Sequence, residues 1–280
     1  MNLKLFSVFF FSICFSVFSQ NKKVEKQTAA IVDEGKKLYR SEMASWYGTD
    51  IFIEKYADKR KDIGGYFSYV EGDVSKCVFY AKGENPKVIG TVTFDFSYNI
   101  ENAQVDAQER PLTDAESQLQ IIRTKTLKEV NSDTLFVRYQ KSDLNLIPMI
   151  DNGEKKVYII TGPKENGVMI FGNDYLVTFD EDNNVKSKKR LHKNIMPVEF
   201  GGKDSFSGMH SHLSTTGEFI TPTDICTLML YEKFAKWESY YVISKEYVSI
   251  WNCKTDSLFV MTTKAWKKMN KNIEKNSEKD

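Results

Sequence analysis

The sequence predicts an α+β protein, and two observations carry that expectation. In "PLTDAESQLQIIRTKTLKEVNSD", Thr113 and Glu116 stand at capping-box spacing, while Ala115, Leu119, Ile122, Thr126 and Val130 share one helical face. Around this helix lie short runs of β-branched and aromatic residues divided by brief turns, the pattern of strands that pair with their sequence neighbours, antiparallel.

The order of elements begins with a leader. "MNLKLFSVFFFSICFSVFSQ" passes from Lys4 into an apolar block and reaches Val17-Phe18-Ser19, where a signal peptidase can cut, so residues 1–19 are expected to be a removed secretory signal. The block falls short of the roughly 20 residues a membrane span needs and lacks a basic stop-transfer flank, so no stable membrane anchor is expected. Cys14 has no small residue before it, which argues against lipid attachment there. The destination implied is periplasmic or extracellular.

After the leader, residues 22–47 have few breakers and a loose helical spacing of apolar positions, which predicts a helix. "GGYFSYVEGD" and "SKCVFYAKGENPKVIGTVTFDFS" follow as β segments. In the second, Val88, Val92, Phe94 and Phe96 alternate with Thr91, Thr93 and Asp95, and "KGENPK" supplies the turn of a half-buried hairpin. The capped helix comes next, then "TLFVRY" as a short strand. Residues 22–148 thus read as an N-terminal α+β domain, with a boundary where Pro148 and Asn152-Gly153 interrupt the pattern. A second domain, 154–266, holds "KVYIITG", "GVMIFG" and "DYLVTFDEDNNVKSKKRLH" as strands, a helix over 222–237, and the strands "SYYVIS", "YVSIWNC" and "SLFVMTT". The Lys/Asn/Glu-rich residues 267–280 read as a flexible tail.

Composition narrows the function. With 39 Lys plus Arg against 38 Asp plus Glu, the chain lacks the field of a nucleic-acid or anionic-membrane binder. Beyond the leader only Cys77, Cys226 and Cys253 remain, which excludes a disulfide framework and a thiolate zinc cage. Cys226 lies among Ile225, Leu228, Met229 and Leu230 and reads as a small buried hydrophobe. There is no G-x-S-x-G, P-loop, H-E-x-x-H or glycine-rich dinucleotide turn. No oligomeric state can be assigned.

What remains is "GMHSHLSTTGEFITPTDICTLML". All three histidines fall between His192 and His212. His210 and His212 are two apart, so on a strand both imidazoles face the same way. In T-P-T-D, Thr221 is an N-cap, Pro222 suits the first helical position, and Asp224 falls in the first turn, where a helix start holds its carboxylate rigidly. Two histidines and one aspartate make three protein ligands and leave a position for water, as in catalytic zinc sites. The same Asp224 is also accounted for as the acid of a capping box. His192 is read as a donor to a ligand, a substrate contact or an ordinary strand-end residue; as a fourth ligand it would make the site a closed, structural one.

This order, strand H-x-H, loop, [ST]-x-x-D opening a helix and further strands, resembles the JAMM/MPN metalloprotease domain, whose pattern is H-x-H-P, a short loop and S-x-x-D. The likeness covers residues 210–263 and, more loosely, the strands back to 156. It implies a JAMM/MPN-like domain of mixed β-sheet with flanking helices, and a zinc-dependent hydrolase of a peptide, isopeptide or related amide bond, with a peptide or protein as substrate. His210, His212 and Asp224 would be the zinc ligands, and Thr221 would stand where the family has serine. Leu213 replaces the family's proline, and the loop is one residue longer. The upstream glutamate of the family has no unmistakable counterpart; Glu165, Asp174 and Glu199 are alternative candidates for the acid/base. Without it, the expectation is a non-catalytic exported binding or envelope-interaction protein on the same scaffold.

Overall fold

The protein is seen in a computed structural model that describes the backbone of residues 4–200 and 207–277 and the side chains of 22–200 and 207–272. The leader expected over residues 1–19 lies outside the residues whose side chains are described. Helix α1 (Lys4–Lys55) runs past the predicted end at residue 47, because its later turns have a surface to bury: Ala44, Ile51 and Phe52 pack onto the sheet that follows. Gly35 and Gly48 lie inside it, a costly place for glycine by propensity, of about 1 kcal/mol against alanine. Close approach explains both. A Cβ on Gly35 would stand 2.7 Å from Cβ of Ile225, and one on Gly48 would stand 2.6 Å from Cβ of Cys77.

That first sheet is β1 (Ile63–Glu71), β2 (Val74–Ala81) and β3 (Lys87–Phe94), antiparallel, with the short β4 (Gln104–Asp106) and β5 (Arg110–Pro111) both paired to β3. The hairpin predicted across "KGENPK" is β2–β3, although β3 ends at Phe94. Phe96 instead lies exposed beneath the Arg40 guanidinium, 3.8 Å from ring centre to Cζ.

Helix α2 (Asp114–Ser132) carries the predicted capping box, with the Glu116 amide donating to Thr113 Oγ1 and the Thr113 amide to Glu116 Oε2. Leu119, Ile122, Thr126 and Val130 are buried as expected; Ala115 is exposed, and Glu116 takes its place on the buried face. The carboxylate survives burial because Arg110 grips both oxygens, at 2.6 and 2.7 Å. Burial opposes its ionisation, but Arg110 and the Thr113 amide outweigh burial and hold Glu116 below the usual carboxylate range. A depressed acid contributes stability above its unfolded pKa and loses it as pH falls through the folded value. Glu116→Gln is therefore expected to lower stability by about 2–3 kcal/mol at pH 7, the scale of charge-assisted hydrogen bonds. In urea titrations the gap to wild type should begin to narrow as pH falls past the ordinary glutamate value of about 4.3 and vanish below the depressed folded value.

Residues 134–139, predicted as a strand, are not one. Phe136 anchors the segment in the core against Tyr175, and side chains meet its backbone groups: the Val137 amide donates to Tyr175 Oη at 2.9 Å, and Asn173 Nδ2 donates to the Val137 carbonyl at 3.0 Å. With those groups satisfied, no ladder is needed.

The predicted domain boundary is also absent. β6 (Ser142–Asp151) pairs with β7 (Glu154–Pro163) along its whole length, and Asn152-Gly153, with φ of 49° and 80°, is simply their two-residue turn. Leu38 of α1 joins Ile147 and Tyr158 of this hairpin to Cys226 and Leu230, so residues on both sides of the expected boundary share one core. β8 (Val168–Gly172), β9 (Tyr175–Phe179) and β10 (Val185–Arg190) follow. The second sheet runs β10-β9-β7-β6, antiparallel as predicted, whereas β8 leaves it to pair with β11 (Ile195–Glu199).

The last sheet runs β12 (Ser207–Ser211), β13 (Ser239–Ile243), β14 (Tyr247–Asn252) and β15 (Ser257–Thr262). β12 and β13 are parallel, joined through α3 (Pro222–Ala235), and the other pairs are antiparallel. α3 stops at Ala235 rather than 237 because Lys236 adopts the left-handed conformation, φ 56°, of a helix C-terminus. Beyond β15, where a tail was expected, α4 (Thr263–Ser277) is helical, and Trp266 packs on Tyr241. Among the described residues no helix is long and apolar enough to cross a membrane.

Candidate metal centre

Three elements deliver four side chains to one point. β12 places His210, and His212 follows one residue beyond it, its amide still bonded to the Ile243 carbonyl at 2.9 Å, which keeps the strand alternation and turns both rings to the same side. α3 supplies Asp224 from its first turn. His192 arrives from just past β10, turned inward by Asp174. One donor atom from each of His192, His210, His212 and Asp224 lies within 4.8 Å of all the others, a group able to hold a metal ion.

The individual separations fit that use. His212 Nε2 is 3.1 Å from Nε2 of His192, 3.0 Å from Nε2 of His210 and 3.2 Å from Oδ2 of Asp224. Asp224 is 3.7 Å from His192 Nε2 through Oδ2 and 3.6 Å from His210 Nε2 through Oδ1. Ligands on a tetrahedron with bonds of about 2.0–2.1 Å stand roughly 3.3 Å apart. All three rings present the same nitrogen, Nε2, to the centre. The side chains are nearly enclosed, with exposures of 11% for His192, 8% for His210, 1% for His212 and 2% for Asp224.

Neighbours fix the ligands in turn. Asp174 Oδ1 accepts from the His192 amide at 3.1 Å and lies 2.7 Å from its Nδ1, and Asp174 Oδ2 accepts from the Thr223 hydroxyl. His210 Nδ1 is 3.0 Å from Tyr240 Oη. Asp224 Oδ2 accepts from the Thr221 amide at 2.9 Å and hydroxyl at 2.7 Å, so the capping box and the ligand role coincide in one carboxylate. His212 differs: its Nδ1 is buried without a hydrogen-bond partner, so polar contacts orient this ring only through the Nε2 that faces the centre.

Electrostatics sort the four. Burial opposes a charged His192, yet Asp224 and Asp174 raise it to about 9. Burial, which Asp224 opposes and the neighbouring imidazoles reinforce, lowers His210 to about 4. Asp224 is held well below the carboxylate range although it is buried, because the three histidines surround it. A metal ion bound here must displace the His192 proton, since only neutral imidazoles ligate.

Asp174 matters through a tight turn. Gly172 and Asn173 have φ of 78° and 52°, a kink between β8, which pairs with β11, and β9, which pairs with β7, and Asp174 follows it beside His192. Asn173 is fully buried and ties the turn to its surroundings, accepting from Tyr175 Oη at 2.6 Å and donating to Thr161 Oγ1 at 3.0 Å. Asp174→Asn keeps the shape but sets an amide NH2 either against the two His192 nitrogens or against the Thr223 hydroxyl. It is expected to weaken metal binding about 10–100-fold, the usual effect of removing a ligand's hydrogen-bond partner, measured by competition with a chromogenic chelator.

Of the residues singled out from sequence, His210, His212 and Asp224 converge, and Thr221 holds Asp224 through its amide and hydroxyl. Asp174 is beside the centre with both oxygens engaged. Glu165 lies in the turn after β7, half exposed and 2.8 Å from Lys141 Nζ, and Glu199 ends β11 exposed to solvent; neither is among the converging groups. His192, the fourth member of the group, had no spacing signal linking it to the pair; its being one of three histidines in a chain of 280 residues was the available clue.

This is the class the fold and site define: an α+β protein with a buried three-histidine, one-aspartate centre suited to a metal ion. No protein-family model matches the chain, and no curated protein or solved structure matches it.

Proposed function

We propose that the chain is an exported zinc-binding protein in which His192, His210, His212 and Asp224 all ligate the ion, and that the ion clasps the fold instead of turning over a substrate. The observation that carries this reading is the place of His192. Four protein donors fill a tetrahedral zinc sphere, the arrangement of structural sites, whereas catalytic sites keep one position for water. Zinc suits the donor set of three imidazoles and a carboxylate, which contains no sulfur. The clasp would join the end of β10 to β12, a strand of a separate sheet, and to the start of α3. On this reading the protein acts by binding a partner or ligand outside the cell.

The alternative, an amide hydrolase of the JAMM kind, is favoured by one observation: H-x-H and T-x-x-D do bring His210, His212 and Asp224 together. In such an enzyme zinc would polarise the scissile carbonyl and acidify its bound water. A free carboxylate would still be needed beside the ion. Asp174, the nearest candidate, is committed to His192 and Thr223.

His192→Ala separates the two. Tag-free wild type is expected to carry about one zinc per chain and to release no product from a peptide library. His192→Ala is expected to hold zinc more weakly, with water in the vacated position, as cobalt substitution and its visible spectrum would report. Peptide cleavage that tracks zinc occupancy in the wild type would overturn the clasp.

A further inference from the structure

Away from the metal centre, a cavity of about 580 Å³ opens between α1, β1, α2 and β6. Its volume lies in the range of sites for small organic ligands, and its position between packed layers is where such sites concentrate. Tyr69, Leu119, Pro148 and Met149 give it an apolar wall, and Lys37 and Arg40 of α1 stand on one side.

Charge decides what fits. Four charged residues line the cavity: Lys37, Arg40, Glu71 and Asp151. Lys37 is neutralised by Asp151 at 2.7 Å and Asp33 at 2.9 Å, and Glu71 is paired with Lys76. Arg40 has no ion pair among the described residues. One terminal nitrogen reaches the Gly72 carbonyl at 3.3 Å, and Cζ lies over the Phe96 ring. A guanidinium that lines a cavity without a carboxylate partner leaves its terminal N–H groups for an anionic acceptor, which gains a charge-assisted hydrogen bond.

From the cavity, its apolar wall and this unpaired cation we infer a binding site for a small amphipathic anion, the acidic head on Arg40 and the apolar body against Tyr69, Leu119 and Met149. The site shares no residue with the metal centre, so the inference stands or falls apart from the zinc clasp.

The test uses the full chain and 8-anilinonaphthalene-1-sulfonate, an amphipathic anion that fluoresces in apolar surroundings, titrated well below the melting transition. Wild type is expected to bind one dye per chain saturably. Arg40→Gln should weaken binding at least about tenfold, the factor a charge-assisted hydrogen bond carries. Ala115→Trp, at an exposed position on the cavity wall, should block it by filling space. Zinc content and melting temperature serve as controls and should stay at wild-type values in both variants. Absence of saturable binding overturns the inference. So does binding that either variant leaves at wild-type affinity, since the head must then lie elsewhere than on Arg40 or the body outside the cavity.

Discussion

On the proposed zinc clasp, His212→Ala is expected to abolish stoichiometric zinc and, with it, the stabilisation that bound zinc would confer. His212 lies at the middle of the centre: its Nε2 approaches two imidazoles and Asp224 at 3.0–3.2 Å, so its loss leaves His192 and His210 without their shared neighbour. A ligand that binds only the folded state stabilises it by about 4 kcal/mol when present at a thousand times its dissociation constant. For a chain of this size that corresponds to roughly 8–16 °C in melting temperature. Wild type should therefore melt higher with zinc than after dialysis against a chelator, whereas His212→Ala should melt at one temperature in both conditions. Metal analysis and differential scanning calorimetry read the two halves of the result. Equal, negligible zinc in wild type and variant would remove the metal centre from this protein's function.

Gly172→Ala should be nearly as damaging without touching a ligand. Gly172 holds φ at 78°, a conformation that costs an L-residue roughly 1–2 kcal/mol, and a Cβ there would overlap the Asn194 carbonyl oxygen. Backbone cannot move aside as a side-chain tip can. The strain would be relieved by shifting the turn that carries Asn173 and Asp174, which undoes the grip on His192. A loss of more than about 3 kcal/mol, with weakened zinc uptake in whatever folds, is the expected outcome in denaturant titrations. Wild-type stability in this variant would mean the turn does not set the position of Asp174.

Local chemistry made several elements legible. Thr113 and Glu116 announced the start of α2 because a capping box needs residues three apart and nothing else. Thr221, Pro222 and Asp224 announced α3 in the same way, and strand alternation placed His210 and His212 on one side. Where a residue's role depended on distant partners, the pattern misled. "TLFVRY" has the composition of a strand, yet Phe136 is taken up by the core and its neighbours' backbone groups are met by Asn173 and Tyr175. Pro148 and Asn152-Gly153 looked like a domain boundary because a tight hairpin turn and a linker use the same residues.

The chain's local spacings were enough to define the α+β class, the capped helices and a pair of imidazoles beside a rigid acid, since each depends on residues within a turn or two of one another. Tertiary structure alone decided that His192 closes the set, that Asp174 orients it while Glu165 and Glu199 stay at the surface, and that one core spans the expected boundary. The physical reason is the range of the interaction: caps and alternation are written in steps of two to four residues, whereas a ligand sphere and a buried ion pair are met by whichever side chains the packing of α1, the sheets and α3 brings within a few ångströms.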